Sequence, residues 1–160
     1  MNIFVLDNSP LKSAEYACDK HVVKMILESA QLLCAAQPEG SAPYKRTHYN
    51  HPCTKWVRES ARNYEWLLLH AYALCNEYTR RYDKVHKSEA VIEWCDEHRP
   101  DLPSIPRTAF AQAMPDKYKN TDIVEAYRSY YRGEKRKFAK WKDGNIPSWF
   151  VGEHDVQTTH

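Results

Sequence analysis

The sequence predicts an all-α protein, a single compact domain of five or six helices with a short apolar extended segment at the N-terminus. Apolar residues recur at helical spacing over several long stretches. Only four glycines occur in 160 residues, and the nine prolines fall at the starts of these stretches or between them. The domain should cover residues 1–152, and residues 153–160 should form a frayed tail.

Helix starts and stops divide the first half of the chain. Residues 1–7 are expected to be extended, and Ser9 before Pro10 predicts a short helix. Asp19 can cap a second helix, in which apolar residues recur at helical spacing until the turn-forming residues 37–43. After an irregular polar stretch, one long helix should run from about Thr54 to Arg81, because no glycine or proline interrupts it.

Proline divides the second half of the chain. Ser88 can cap a helix that Pro100 ends. The prolines up to residue 115 interrupt regular structure and leave room for about one helical turn around Phe110. Thr121 can cap a last long helix, which should continue to about Trp141.

The composition excludes several classes of protein. A content of 42% hydrophobic and 28% charged residues is typical of a globular chain. No apolar run is long enough to span a membrane or to act as a signal peptide. The five cysteines are odd in number and widely spaced, as in proteins of a reducing compartment. These features predict a cytoplasmic protein with no membrane contact, and none of them indicates an obligatory protein partner.

A polar stripe is expected on the second helix. His21, Lys24, Glu28 and Gln31 are spaced by three or four residues and therefore share a face. A carboxylate beside a lysine and a histidine can transfer protons. The alternative is a solvated surface with an ordinary ion pair between Lys24 and Glu28.

The expected long helix carries a second polar set. Asn63, His70 and Glu77 recur every seven residues among apolar neighbours, with Ser60 and Arg81 on nearly the same face. Polar groups in such surroundings need hydrogen-bond partners. They either line a pocket or form a buried network that fixes packing, and the pattern is compatible with both.

Basic and aromatic clusters suit a ligand that carries phosphates. Cations neutralise phosphates, and aromatic rings stack on bases. Residues 127–142 interleave seven lysines and arginines with five aromatic residues, although an amphipathic helix with its rings in the core predicts the same pattern. Two further clusters lie in expected loops, one with His48 and His51 and one with Arg81, Lys84, His86 and Lys87.

A zinc site is a further alternative. Cys18 and His21, with His48 and His51, have the spacing of zinc-ligand pairs, but the first pair straddles a helix start. We therefore expect no metal and no other cofactor. The glycines form no phosphate-binding loop, which argues against P-loop and dinucleotide-binding enzymes.

The start of the second helix resembles one known family. Asp19, Lys20 and His21 form an Asp-x-His motif, and Glu28 follows seven residues after the histidine. This arrangement resembles the pyrimidine-dimer DNA glycosylases of the phage endonuclease V type. The resemblance ends with the second helix, while the chain as a whole also resembles a family of phage and bacterial proteins.

The resemblance implies a compact helical enzyme that acts on damaged duplex DNA without a metal. It implies that an N-terminal α-amine, which is less basic than lysine, forms a Schiff base with the sugar and so permits strand cleavage. Met1 would supply the amine, Glu28 the catalytic carboxylate and His21 a contact to the substrate. The residues expected to bind the substrate are Lys20, Lys24, His48, His51, Asn63, His70, Arg81, Lys84, His86 and Lys87.

The residues and the resemblance together predict a DNA N-glycosylase with lyase activity on damaged or modified bases. Two alternatives remain open at this stage. One is a non-catalytic protein that binds nucleotides or nucleic acid, and the other is an enzyme that acts on free nucleotides. In each case the partner is DNA or a nucleotide.

Overall fold

The computed structural model describes residues 1–151, so the expected tail at 153–160 lies outside the described residues. The all-α prediction is confirmed, and residues 1–151 contain no strand. A 3₁₀ turn at Asp116–Tyr118 and a π-helical turn at Tyr131–Lys135 flank the last α-helix, and residues 148–151 are again helical. In chain order the α-helices are α1 (Pro10–Tyr16), α2 (Asp19–Ala35), α3 (Pro52–Glu59), α4 (Ala61–Tyr82), α5 (Glu89–Glu97) and α6 (Ile123–Tyr130).

Helix α4 is the centre of the fold and packs against α1, α2, α3 and α5. The apolar N-terminal segment lies inside, with Leu6 fully buried. Its backbone is held by Ser13 of α1, whose hydroxyl accepts from the Leu6 amide and donates to the Phe4 carbonyl. These bonds satisfy polar groups of a buried segment that belongs to no helix.

Capping residues set the first helix boundaries close to their expected positions. The Ser9 hydroxyl accepts from the Lys12 amide at 3.2 Å and starts α1. Asp19 was expected to cap α2, but the cap residue is Cys18, and Asp19 stands in the first turn. An acid in the first turn still stabilises the helix N-terminus through the helix dipole.

The expected helix from Thr54 to Arg81 is in fact two helices, which meet at Ser60. The Ser60 backbone is extended (φ −153°, ψ 142°), and its hydroxyl accepts from the Arg62 amide to cap α4. The same hydroxyl donates to the Ile105 carbonyl, and the Ala61 amide donates to the Pro103 carbonyl. The break therefore depends on contacts with a distant loop, which local helix propensity does not report.

The C-terminal third also departs from the prediction. Asp122, and not Thr121, caps α6, which ends at Tyr130 and gives way to the π-helical turn before the chain reaches Trp141. The helical turn expected around Phe110 does not form. Phe110 is instead buried between the rings of Trp56 and Trp66, at centroid distances of 5.2 and 4.8 Å.

All five cysteines are buried and free. Between residues 1 and 151, no helix combines the length and the hydropathy that crossing a membrane requires.

Candidate active site

An open cleft of about 500 Å³ lies where the N-terminal segment, α2 and the C-terminal third meet. Five of the site residues expected from the sequence line this cleft together: Met1, His21, Lys24, Glu28 and His51. The remaining lining residues are Asn2, Phe4, Met25, Pro52, Gln112, Ala113, Met114, Lys119, Tyr130 and Lys135.

The α-amine of Met1 and the carboxylate of Glu28 meet in the cleft. The amine nitrogen lies 3.6 Å from Glu28 Oε1, and the Asn2 amide donates to the same oxygen at 3.1 Å. Lys24 Nζ lies 3.8 Å from Glu28 Oε2, one helical turn away. The carboxylate is mostly covered, with 13% of its side chain exposed, so it faces cations in a partly desolvated setting.

The side chain of Asn2 holds the start of the chain in this position. Its amide group donates to the Ala113 carbonyl at 2.8 Å, and its carbonyl oxygen accepts from the Tyr127 hydroxyl at 3.0 Å and from the Ile3 amide at 2.8 Å. Tyr127 is fully buried on α6. The first residues are thus fixed to parts of the fold more than 100 positions away, which restricts the orientation of the amine.

His21 lies at the buried end of the cleft and is uncharged. Its ring stacks on Phe4 at 4.2 Å, and its Nδ1 lies 2.6 Å from the Tyr131 hydroxyl. Burial lowers the pKa of His21 to about 3, and the charges of Lys135 and Lys24 act in the same direction. A neutral imidazole can donate or accept a hydrogen bond to a substrate, but it adds no positive charge.

His51 is the N-cap residue of α3, and its Nδ1 accepts from the Cys53 amide at 3.1 Å. Burial lowers the pKa of His51, and the positive charge of the N-terminus lowers it further. The lowered pKa favours the neutral ring beside the amine. His51 can therefore contact a substrate without competing with the amine for the Glu28 carboxylate.

Three lysines on separate parts of the chain surround the cleft. Lys24 comes from α2, Lys119 follows the 3₁₀ turn, and Lys135 ends the π-helical turn. Lys119 also pairs with Asp116 at 3.0 Å, and the Lys135 ammonium lies 4.7 Å from the centre of the Tyr130 ring. Such a set of cations favours an anionic substrate, such as a DNA strand.

The opposite wall of the cleft includes Gln112, Met114 and Lys119, which were not predicted as part of a site, together with Tyr130 and Lys135. Residues 112–119 carry no local motif, and only the basic and aromatic composition of residues 127–142 indicated a nucleic-acid contact for Tyr130 and Lys135. The loop is closed by paired bonds, because Gln112 Nε2 donates to the Asn120 carbonyl and its Oε1 accepts from the Asn120 amide.

Two interpretations were open for the basic segment at 127–142, a nucleic-acid contact and an amphipathic stretch with its rings in the core. The second describes most of the segment. Arg128 donates to the Leu6 carbonyl at 2.9 Å and pairs with Asp7, Arg132 pairs with Glu125, and Arg136 donates to the Phe150 carbonyl. These arginines attach the C-terminal third to the core. Of the seven basic residues, Lys135 is the one that lines the cleft.

Asn63, His70 and Arg81 lie in the interior, and none lines the cleft. Asn63 bonds to the Trp56 carbonyl and to the backbone and side chain of Thr108. His70 donates to the Pro10 carbonyl at 3.0 Å, and burial lowers its pKa to about 4. Of the two interpretations of the polar set on α4, the buried network that fixes packing describes these contacts.

The other expected substrate contacts lie on the surface outside the cleft. The Lys20 ammonium lies 4.5 Å from the centre of the Phe138 ring, and His48 is exposed in the loop before α3. His86 donates through Nε2 to the Val23 carbonyl at 3.0 Å, which holds the loop after α4 against α2. The two lysines of that loop, Lys84 and Lys87, are exposed.

In residues 1–151 no group of three or more His, Cys, Asp or Glu side chains is arranged to hold a metal ion.

Comparison with known proteins identifies the family. Searches of curated proteins and of solved structures found no match. A family model described as pyrimidine dimer DNA glycosylase matches residues 1–90, more than half of the chain and the part that supplies Met1, His21 and Glu28. The chain therefore belongs to the pyrimidine dimer DNA glycosylase family.

Proposed function

We propose that this protein is a DNA N-glycosylase that also cleaves the strand, with the α-amine of Met1 as its nucleophile and Glu28 as its catalytic carboxylate. The observation that carries the proposal is the 3.6 Å distance between the amine nitrogen and Glu28 Oε1 in an open cleft. Membership of the family supports DNA as the substrate.

The proposed reaction starts with attack of the uncharged amine on C1′ of the damaged nucleotide. The bond from C1′ to the base breaks, and the base leaves with the bonding electrons and takes up a proton. The sugar ring opens to a Schiff base, loss of a proton from C2′ expels the 3′-phosphate, and water finally releases the amine. Glu28 would stabilise the positive charge that develops at C1′ and transfer the protons.

The cations around the cleft suit the polyanionic substrate. Lys24, Lys119 and Lys135 would contact phosphates on either side of the damaged nucleotide, which must leave the base stack before the amine can reach its C1′. His51 would contribute a neutral contact beside the amine. The exposed residues Lys20 and His48 would contact the flanking duplex.

Borohydride trapping tests the nucleophile directly. We expect that reduction in the presence of a duplex with an abasic site links the protein covalently to DNA, and that the adduct maps to the first tryptic peptide, residues 1–12. Extending the chain by two residues ahead of Met1 should abolish the adduct, because the free amine then no longer lies beside Glu28. The unextended chain with Lys24→Ala is the control and should still form it.

Other results would favour other functions. An adduct that maps to a lysine of the cleft would reject Met1 as the nucleophile and retain the lyase chemistry. A protein that binds the duplex but gives no adduct would be the non-catalytic binder. Turnover of mononucleotides without duplex binding would identify an enzyme of free nucleotides.

The loop at residues 83–88 is proposed as an outer DNA contact. It is held against α2, because His86 bonds to the Val23 carbonyl. Lys84→Ala combined with Lys87→Ala should weaken duplex binding and reduce the slope of log affinity against log salt by up to about 1.8, since each phosphate contact contributes about 0.9. Filter binding or fluorescence anisotropy at several salt concentrations measures this slope.

A matched pair of charge removals controls for the change in net charge. Lys12 and Arg62 are exposed and pair with Glu15 and Glu65 one turn along their own helices, and neither lines the cleft. Lys12→Ala with Arg62→Ala should change the slope much less. Equal slopes for the two double variants would mean that the 83–88 loop faces away from the DNA.

A further inference from the structure

Two core residues hold the His21 ring, one at its face and one at its Nδ1 nitrogen. Phe4 stacks on its face at 4.2 Å, and the Tyr131 hydroxyl lies 2.6 Å from Nδ1. Tyr131 is fully buried and begins the π-helical turn, far outside the residues 1–90 that the family model matches. Turns of this kind often occur at functional sites. The hydrogen-bond partner of His21 therefore comes from the C-terminal third of this chain.

Counting donors leaves two arrangements for the Tyr131 hydroxyl. The Cys18 amide can only donate, and it does so to the hydroxyl oxygen at 3.3 Å. The single hydroxyl proton can then go to His21 Nδ1 at 2.6 Å or to the Cys18 sulfur at 3.6 Å. If the proton goes to the sulfur, Nδ1–H donates to the hydroxyl oxygen, and the hydroxyl proton is spent on a weak acceptor at 3.6 Å. Donation to Nδ1 instead uses the hydroxyl proton in the short contact with the stronger acceptor, and this arrangement is the one that the distances favour. With Nδ1 accepting, the neutral ring carries its own proton on Nε2.

We propose that Tyr131 is a positioning residue that holds His21 in the Nε2–H tautomer, so that Nε2–H donates to a phosphate oxygen of bound DNA. This inference rests on the proposed function for its ligand, but its tautomer can be tested without DNA. Lys24 and Lys135 line the same cleft and would draw the phosphate towards the ring. The neutral Nε2–H group would orient the phosphate through a directional hydrogen bond. The positive charge that attracts the phosphate would come from the lysines.

The tautomer is read from the two ring nitrogens of His21 in the intact free protein. In ¹⁵N-detected long-range spectra at neutral pH we expect Nε2 to resonate as a protonated nitrogen and Nδ1 as an unprotonated one. In Tyr131→Phe this preference should weaken or reverse. A protonated Nδ1 in the unmodified protein would overturn the proposal, whether or not the protein acts on DNA.

A double-mutant cycle tests the consequence for DNA. Tyr131→Phe should weaken binding of an abasic duplex by up to about tenfold, because a ring whose tautomer is no longer fixed loses part or all of one hydrogen bond to a charged group. His21→Gln keeps an amide donor near the Nε2 position and has no tautomer to set. In that background, Tyr131→Phe should therefore have no further effect on binding.

Each outcome of the cycle decides the question. Equal losses in the two backgrounds would mean that Tyr131 acts only on packing, and the positioning role would be rejected. No loss in either background would reject the role of Tyr131 in DNA binding. The tautomer can be as expected while the duplex is neither bound nor cleaved. The proposed function then fails, but Tyr131 still fixes the Nε2–H tautomer of His21.

Discussion

Glu28→Gln should bind duplex DNA nearly as well as the unmodified protein and cleave it at least about a hundredfold more slowly, the usual contribution of a group that transfers protons. Glutamine has nearly the shape of glutamate and can still accept the hydrogen bond from the Asn2 amide. It cannot accept a proton from the amine or offset positive charge at C1′. Single-turnover cleavage of a lesion-bearing duplex, with affinity measured separately, checks both parts.

A surface carboxylate provides the control for this variant. Glu39 is largely exposed, pairs with Arg46 and does not line the cleft. Glu39→Gln should therefore cleave at the unmodified rate. An unchanged rate in Glu28→Gln as well would remove the carboxylate from the mechanism, and the amine would then act without it.

Arg81→Ala should lower the free energy of unfolding by about 3–5 kcal/mol, the range found when one partner of a buried ion pair is removed. The Arg81 side chain is 1% exposed and pairs with Glu77 at 2.9 Å and Asp19 at 3.0 Å. It also donates to the carbonyls of Ala17 and Glu15, so it joins α4 to the end of α1 and the residues that follow it. Its loss leaves the carbonyls of Ala17 and Glu15 without this donor, and Glu77 keeps only its pair with Arg80.

The neighbouring arginine makes a matched comparison. Arg80 pairs with Glu77 and with Asp143, but half of its side chain is exposed, so Arg80→Ala should cost less than about 1 kcal/mol. Urea denaturation of both variants measures the difference. Similar small losses would contradict the structural role of Arg81. If Arg81 instead contacted DNA, Arg81→Ala would reduce the salt slope and leave stability largely intact.

Local signals in the sequence were enough to identify most of the helices. Ser9 and Pro10 start α1 where expected, and Ser88 stands directly before α5. The signal at Ser9 is reliable because its hydroxyl bonds a backbone amide three residues away. The Ser88 hydroxyl makes no capping bond and pairs with the Tyr44 hydroxyl instead. The break at Ser60 was missed because its partners, Pro103 and Ile105, are more than 40 positions away.

The same distinction applies to the site. The Asp-x-His motif and Glu28 lie within ten residues on one helix, so the family resemblance is visible locally, and helical spacing places His21, Lys24 and Glu28 on one face. The opposite wall of the cleft contains Lys119 and Lys135, which lie about 100 residues after α2 in the sequence. No local pattern connects these residues with α2. The position of this wall depends on long-range bonds such as that from Asn2 to Ala113.

The sequence by itself determined that the chain is helical, where most helices begin, and which carboxylate and amine to consider for catalysis. Only the tertiary structure decided that amine and carboxylate lie 3.6 Å apart, that His21 is bound to Tyr131, and that Arg81 is interior. Helices form through contacts between residues three or four positions apart, which a sequence displays directly. A cleft forms where distant segments pack, and that arrangement depends on the burial and hydrogen bonding of the whole chain.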